Sequence, residues 1–204
     1  MGISLAAAIQ TNACSPARER EDYAAREVFL SGTLERAKAR YGQARDASRR
    51  QAILNLADEL PVDCSLGDWS NRAFSELKHQ WQGARTHDVG GWDWNEMHRK
   101  YREVSVIGSA LWTADRRLSA LAMGRATGES VCLEFVEADP RTDCPLKGWR
   151  LPIFIELMAC YAQELGKREV RVIPANTALG TLYVRFGFVL ETPRKQTPYY
   201  RREV

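Results

Sequence analysis

The sequence predicts an α/β fold: a mixed, mostly antiparallel sheet with one central parallel pair, flanked by helices and preceded by a helical extension. Three observations carry this. From Val131 to Phe188 the pattern runs strand, polar loop, long apolar helix, strand, short helix, and two strands joined through such a helix form a parallel crossover. From Ser105 to Met123 two β-rich runs flank the turn Ala114-Asp115-Arg116, which makes them antiparallel neighbours. Up to residue 90 the apolar spacing is helical.

In chain order, residues 1 to 16 are compatible with no more than a short helix over 4 to 10. The apolar run Ile3 to Ile9 lacks a basic start and is too short for a bilayer, so it reads as neither signal nor anchor. Tyr23, Val28, Phe29, Leu34 and Ala37 then form an apolar stripe, predicting a helix to about Tyr41 with Gly32 as its weak point. A second helix is expected from Asp46 to Leu60, with Ile53, Leu54, Leu56 and Leu60 on one side and Arg49-Arg50 on a solvated face. Pro61 ends it. A third, Ser70 to Trp81, buries Phe74, Leu77 and Trp81 and leaves His79 in solvent, while His87 falls in a loop.

Gly90-Gly91 reads as a joint that divides the chain into a helical extension (1–90) and a sheet domain (91–204). A short helix beginning at Asp93 or Asn95 places Trp94, Met97 and Tyr101 on one side, with His98 within reach of it. Trp92 and Trp94 either close the core beneath the sheet or wall a substrate pocket. After the Ser105–Trp112 and Leu118–Met123 strands, a turn over Gly124 to Ser130 leads into the strand at Val131. Asp139-Pro140 stops that strand, and a polar loop runs to Trp149.

Pro152 suits the first turn of the next helix, which ends at Leu165-Gly166. Its residues Ile153, Phe154, Ile155, Leu157, Met158, Cys160 and Tyr161 leave so little polar surface that most of its circumference must be covered. Strand Glu169 to Ile173 follows and stops at Pro174. Asn176 caps a last helix that ends at Gly187. Val189-Leu190-Glu191 and Tyr199 to Val204 close a hairpin, the second strand of which reads as an edge with a basic face.

The segment Asn176-Thr177-Ala178-Leu179-Gly180-Thr181-Leu182-Tyr183-Val184-Arg185-Phe186-Gly187-Phe188, with the strand, glycine-bearing loop, apolar helix and strand before it, resembles the GNAT superfamily of acyl-CoA-dependent N-acyltransferases over about residues 92–204. The resemblance implies acetyl-CoA as cosubstrate and direct attack by an amine, small-molecule or protein, in a ternary complex. It places the pantetheine arm along Phe135, Val136, Glu137 and Ala138, and the pyrophosphate against Lys147, Gly148, Trp149, Arg150 and Leu151 at a helix N-terminus. Asn176 matches a position that contacts the pantetheine amides, though a plain helix cap is the alternative. Tyr183 matches the tyrosine that protonates the departing thiolate, or else it packs in its helix stripe. Glu134 stands where some members carry a general base. By alternation it shares a face with Cys132 and Val136, and Glu137 competes from the other face.

The loop departs from the family's pattern, because Lys147-Gly148-Trp149-Arg150-Leu151-Pro152 keeps only the first glycine. Either the Lys147 and Arg150 charges replace the missing amide donors, or coenzyme A binding has weakened and the chain is a GNAT-fold binding or scaffold module. A third reading, a nucleic-acid-modifying relative, rests on the basic, aromatic tail.

The composition bounds these readings. At 204 residues the chain can bury a full core, and 45% hydrophobic with 27% charged residues marks an ordinary globular protein. The net charge of +3 is too small to argue for nucleic acid. Twelve Lys plus Arg balance twelve Asp plus Glu up to residue 90, so the surplus lies beyond it. Cysteines 14, 64, 132, 144 and 160 form no CxxC pair and have no histidine at metal spacing, so no metal site is expected. Their odd number fits reduced thiols and a cytoplasmic location. The helical extension offers surface for a homodimer, and no membrane partner is expected.

Overall fold

The computed structural model describes residues 16–81, 91–174, 176–195 and 197–204, with the side chains of 16–31 and of 177 left undescribed. The short helix expected over 4–10, the His87 loop and the stripe residues Tyr23, Val28 and Phe29 therefore lie outside what is described. The elements are α1 (Pro16–Leu56), β1 (Cys64–Asp68), α2 (Asn71–Gln80), α3 (Trp94–Lys100), β2 (Val106–Thr113), β3 (Leu118–Thr127), β4 (Ser130–Ala138), α4 (Arg150–Glu164), β5 (Glu169–Val172), α5 (Thr177–Arg185), β6 (Val189–Glu191) and β7 (Tyr199–Glu203). Two compact units divide the chain, Met1–Ala39 and Arg40–Val204. In the first, Lys38 pairs with Glu35 one helical turn away.

In the second unit seven strands form one sheet in the order β1-β2-β3-β4-β5-β7-β6, and only the β4–β5 pair is parallel. The expected mixed sheet with a central parallel pair is therefore present. One face packs on α4 and on the α1 residues Ala44 and Ala52. The other packs on α2 and α3 through Trp69, Phe74, Leu77, Trp81, Trp94 and Met97. The α4 helix is covered nearly all round, as its composition requires: Ile153 to Ile155 and Leu157 to Ala162 are all buried. The sheet takes one side, and Asn55 on α1 reaches over to donate to Glu156 at 2.7 Å. At Gly124 a Cβ would lie 2.4 Å from the Met158 sulfur, so only glycine lets α4 approach β3 this closely.

Several local expectations are corrected. The two helices read between Ala17 and Leu60 are one continuous α1, with Gly42 inside it. Tertiary contacts at Ala44, Ser48 and Ala52 outweigh the roughly 1 kcal/mol that a mid-helix glycine costs. Arg49 is not on a solvated face; it is buried, pairs with Asp46 and Asp68, and donates to Ser109 Oγ and the Gly108 carbonyl. Leu54, expected on the apolar side, is 67% exposed. A strand stands where none was read: β1 pairs antiparallel with β2 from Cys64↔Thr113 to Asp68↔Ser109. Strand β3 runs on to Thr127, so the turn into β4 is only Gly128-Glu129. Finally, β7 is not an edge: it lies between β5 and β6, with Arg201 paired to Glu191 and Glu203 and Arg202 stacked over Phe188.

Candidate active site

Strand β4 organises the site because its two halves are held differently. Ser130 to Leu133 pair with β5 from Ser130↔Glu169 to Leu133↔Val172, and there β5 ends while β4 continues to Ala138. Beyond Leu133 the strand keeps only β3 as a neighbour. That pairing slips as well: Gly124 stands opposite Leu133 and Met123 opposite Phe135, so Glu134 is an extra residue, a β-bulge. Glu134 is thus the first residue past the parallel pairing.

The bulge overturns the alternation read from sequence. Leu133 and Val136 both pack on the α4 side, whereas Phe135 belongs to the α2 and α3 side. Glu134 also lies on that second side, where Arg125 Nε and Nη2 donate to its Oε1 at 3.2 and 2.7 Å. Glu137 is there too, buried, accepting from Trp94 Nε1 at 2.6 Å and from the Gly91 amide at 3.1 Å. The two acids expected on opposite faces therefore share one.

An open cleft of about 490 Å³ lies where β4 and β5 diverge, within the usual size range of small-molecule sites. Its lining includes Arg125, Cys132, Glu134, Phe135, Arg171, Val172, Ile173 and Tyr199. Phe135 is flanked by Trp92 at 4.9 Å and Tyr101 at 5.9 Å between ring centres. The tryptophan pair thus divides the two roles considered for it: Trp94 is in the core, and Trp92, 42% exposed, stands beside the cleft wall. His98 is exposed, edge-on to Trp69 and tilted against Phe74.

At the far end of β4, the loop to α4 is pinned by buried Cys144 and Leu146 and winds through two turns, Lys147 N–H to Cys144 O and Trp149 N–H to Leu146 O, both 3.0 Å. Gly148 has φ +90, a left-handed conformation that glycine adopts without strain. Trp149 caps α4 with no side-chain hydrogen bond, so the Arg150 and Leu151 amides have no side-chain cap, and Pro152 brings no amide of its own. Helix α4 starts at Arg150, making Pro152 its third residue. Arg150 Nη1 donates to the Asp139 carbonyl at 2.8 Å, while its Nε and Nη2 are buried without a partner among the described residues. These two nitrogens are shielded from solvent as well as unpaired, on a half-buried side chain at the N-terminus of α4.

The loop is tied to the sheet by an arrangement the sequence reading missed. The fully buried carboxylate of Asp139 is held by Arg117 at 2.8 Å and Arg141 at 2.7 Å, and Arg117 also reaches Asp143 at 2.6 Å. Burial pushes the Asp139 carboxyl up, but the hydrogen bonds from Arg141 and Arg117 outweigh it and leave the group below the ordinary carboxylate range. The available signal was Asp139-Pro140-Arg141 at a strand end; the contribution of Arg117, on the β2–β3 turn, has no local trace.

No protein-family model and no curated protein matches the chain, but solved structures do. The GNAT domain of S. lividans PAT aligns over 69% of this chain and 90% of that domain, with a TM-score of 0.50 and 12% identity. The ribosomal-protein-S18-alanine N-acetyltransferase from Escherichia coli aligns over 68% and 91%, with a TM-score of 0.48 and 16% identity. The PaiA N-acetyltransferase from Thermoplasma acidophilum, solved in complex with coenzyme A, aligns over 70% and 100%, with a TM-score of 0.45 and 14% identity. The fold is the GNAT fold.

On this GNAT scaffold the remaining expected residues lie as follows. Phe135 and Glu134 line the cleft, whereas Val136 and Ala138 are not among its lining residues and pack half-buried against the α4-side core. Lys147 and Gly148 are exposed at the loop, with Trp149, Arg150 and Leu151 half-buried behind them. Asn176 acts as a helix cap, its Oδ1 accepting from the Leu179 amide at 3.0 Å. Tyr183 is buried against Phe188 and Tyr200 and is not among the residues lining the cleft; burial pushes its phenol up.

Proposed function

We propose that this protein transfers an acetyl or related acyl group from a coenzyme A thioester to an amine by direct attack in a ternary complex. The observation that carries the reading is the conjunction at the two ends of the unpaired half of β4. One end opens the cleft beside Glu134, and the other meets an uncapped helix N-terminus where Arg150 keeps two buried donors unpartnered. The first suits an extended arm bonded to backbone; the second suits a pyrophosphate. On this reading the Arg150 charge stands in for the glycine amides that the loop lacks.

In the proposed reaction Glu134 takes one proton from the ammonium, and the free amine attacks the thioester carbon. The C–N bond forms and the C–S bond breaks; the second nitrogen proton passes to solvent, the thiolate takes a proton from Tyr183, and Tyr183 regains one from solvent. Tyr183 is the proposed donor to sulfur, since its raised pKa keeps the phenol protonated through the neutral range. The cysteine pattern leads us to propose a reduced cytoplasmic setting, and the resemblance proposes Asn176 as a second contact for the arm.

A mass-spectrometric screen of amines with acetyl-CoA tests the reading. An acetylated amine whose yield falls sharply in Arg150→Ala is expected; acetylation that ignores Arg150 would contradict the site. A second reading, a GNAT-fold binding module without turnover, is favoured by Arg125 occupying Glu134 and by the packing of Tyr183 away from the cleft lining. That module would acetylate nothing, and absence of acetyl-CoA binding would support it.

A further inference from the structure

We propose that the acceptor is an α-amino acid with an apolar side chain, recognised by the Arg125–Glu134 ion pair in the cleft; this rests on the acyl-transfer reading of the same site. The pair is an unusual floor for an amine site. A site for simple amines needs a carboxylate and no cation beside it, whereas here a guanidinium is fixed 2.7 Å from the only cleft acid on the strand. The two charges sit side by side, as do the ammonium and carboxylate of a zwitterion, with the signs reversed.

The geometry leaves room for that exchange. Arg125 spends Nε and Nη2 on a single oxygen, Glu134 Oε1. Among the described residues nothing bonds to Arg125 Nη1 or to Glu134 Oε2, so each charge keeps one open edge. The Arg125 guanidinium lies over the Tyr101 ring, with its Cζ 6.0 Å from the centroid. Arg171 stands nearby, on β5 opposite Cys132 as Arg125 is on β3; its Nε is paired with Glu169, and its guanidinium lies over the Tyr199 ring at 4.7 Å. Beyond the charges the walls are apolar, with Phe135, Val172 and the 62% exposed Ile173. A ligand carboxylate on Arg125 and Arg171 and an ammonium on Glu134 put the amino nitrogen at the mouth of the β4–β5 gap. The side chain then lies on Phe135 and Ile173. An amine without a carboxylate meets an uncompensated cation, and a carboxylate without an amine meets Glu134.

The test uses three matched probes, L-phenylalanine, phenethylamine and 3-phenylpropionate, titrated by calorimetry into the full chain with and without coenzyme A. We expect L-phenylalanine to bind at least about tenfold more tightly than either singly charged probe. Arg125→Met should remove its advantage over phenethylamine, and Glu134→Gln its advantage over 3-phenylpropionate, with circular dichroism confirming folding. Equal binding of L-phenylalanine and phenethylamine to the unaltered protein overturns the proposal, whatever the variants do, and so does binding of none of the three. L-phenylalanine binding without acetyl-CoA binding keeps the amino-acid site and removes the acyl-transfer reading. Acetyl-CoA binding with phenethylamine preferred does the reverse.

Discussion

The two halves of β4 share one strand and one neighbour, β3, and differ on the other edge. From Ser130 to Leu133 both edges are hydrogen-bonded, and the side chains Val131 and Leu133 are buried under α4. From Glu134 to Ala138 one edge has no strand neighbour, and the side chains include a paired and a buried carboxylate. An unpaired edge is costly to bury and is an aggregation hazard when exposed, so a strand that keeps one five residues long serves something other than stability.

Substitutions can separate the two. Leu133→Ala, in the paired half, should lose about 2–5 kcal/mol of unfolding free energy, while Val136→Ala, half-buried at the gap, should lose about 1 kcal/mol, both read from urea unfolding. Equal losses would erase the distinction. Asp139→Asn, at the far end of the open half, should cost about 2–3 kcal/mol, because it leaves Arg117 and Arg141 without their shared anion while both retain some solvent. The same site predicts acid sensitivity. Because the folded carboxyl titrates below the unfolded one, its contribution is complete above the ordinary Asp range near about pH 4 and disappears as pH falls through the lower folded value. A melting temperature in the variant that falls as steeply as in the parent across that window would show that Asp139 is not the group responsible.

Arg150→Ala sharpens the contrast from the functional side. Stability should stay within about 0.5 kcal/mol, since one hydrogen bond is lost along with two unpartnered donors, while acetyl-CoA affinity should fall at least about tenfold. Tyr183→Phe should leave stability nearly unchanged and lower turnover about tenfold; unaltered turnover across pH would remove its role as acid.

How much of this was legible depends on how local the cause is. Asn176 as a cap, Pro174 as a stop and the apolar α4 are each fixed within a few residues, and the structure has them where the sequence reading does. The β1 strand was hidden because Cys64-Ser65-Leu66-Gly67-Asp68 has neither strong alternation nor β-branched residues; it becomes a strand by pairing with β2. The bulge at Glu134 was hidden for the same reason. It is a property of the β3–β4 register, and missing it put Glu134 with Val136 when it belongs with Arg125. Arg49 and Asp139 show the matching failure for charges, since a sequence gives no sign that an ion is buried until its partners at Asp68 or Arg117 are brought to it.

The most direct measurement is calorimetric titration of acetyl-CoA into the full chain, with dephospho-CoA as comparator. If the open half of β4 and the α4 N-terminus form a cofactor site, acetyl-CoA binds with a micromolar dissociation constant. No heat at millimolar acetyl-CoA would mean that this loop does not take the pyrophosphate, and the GNAT fold here would serve some other end.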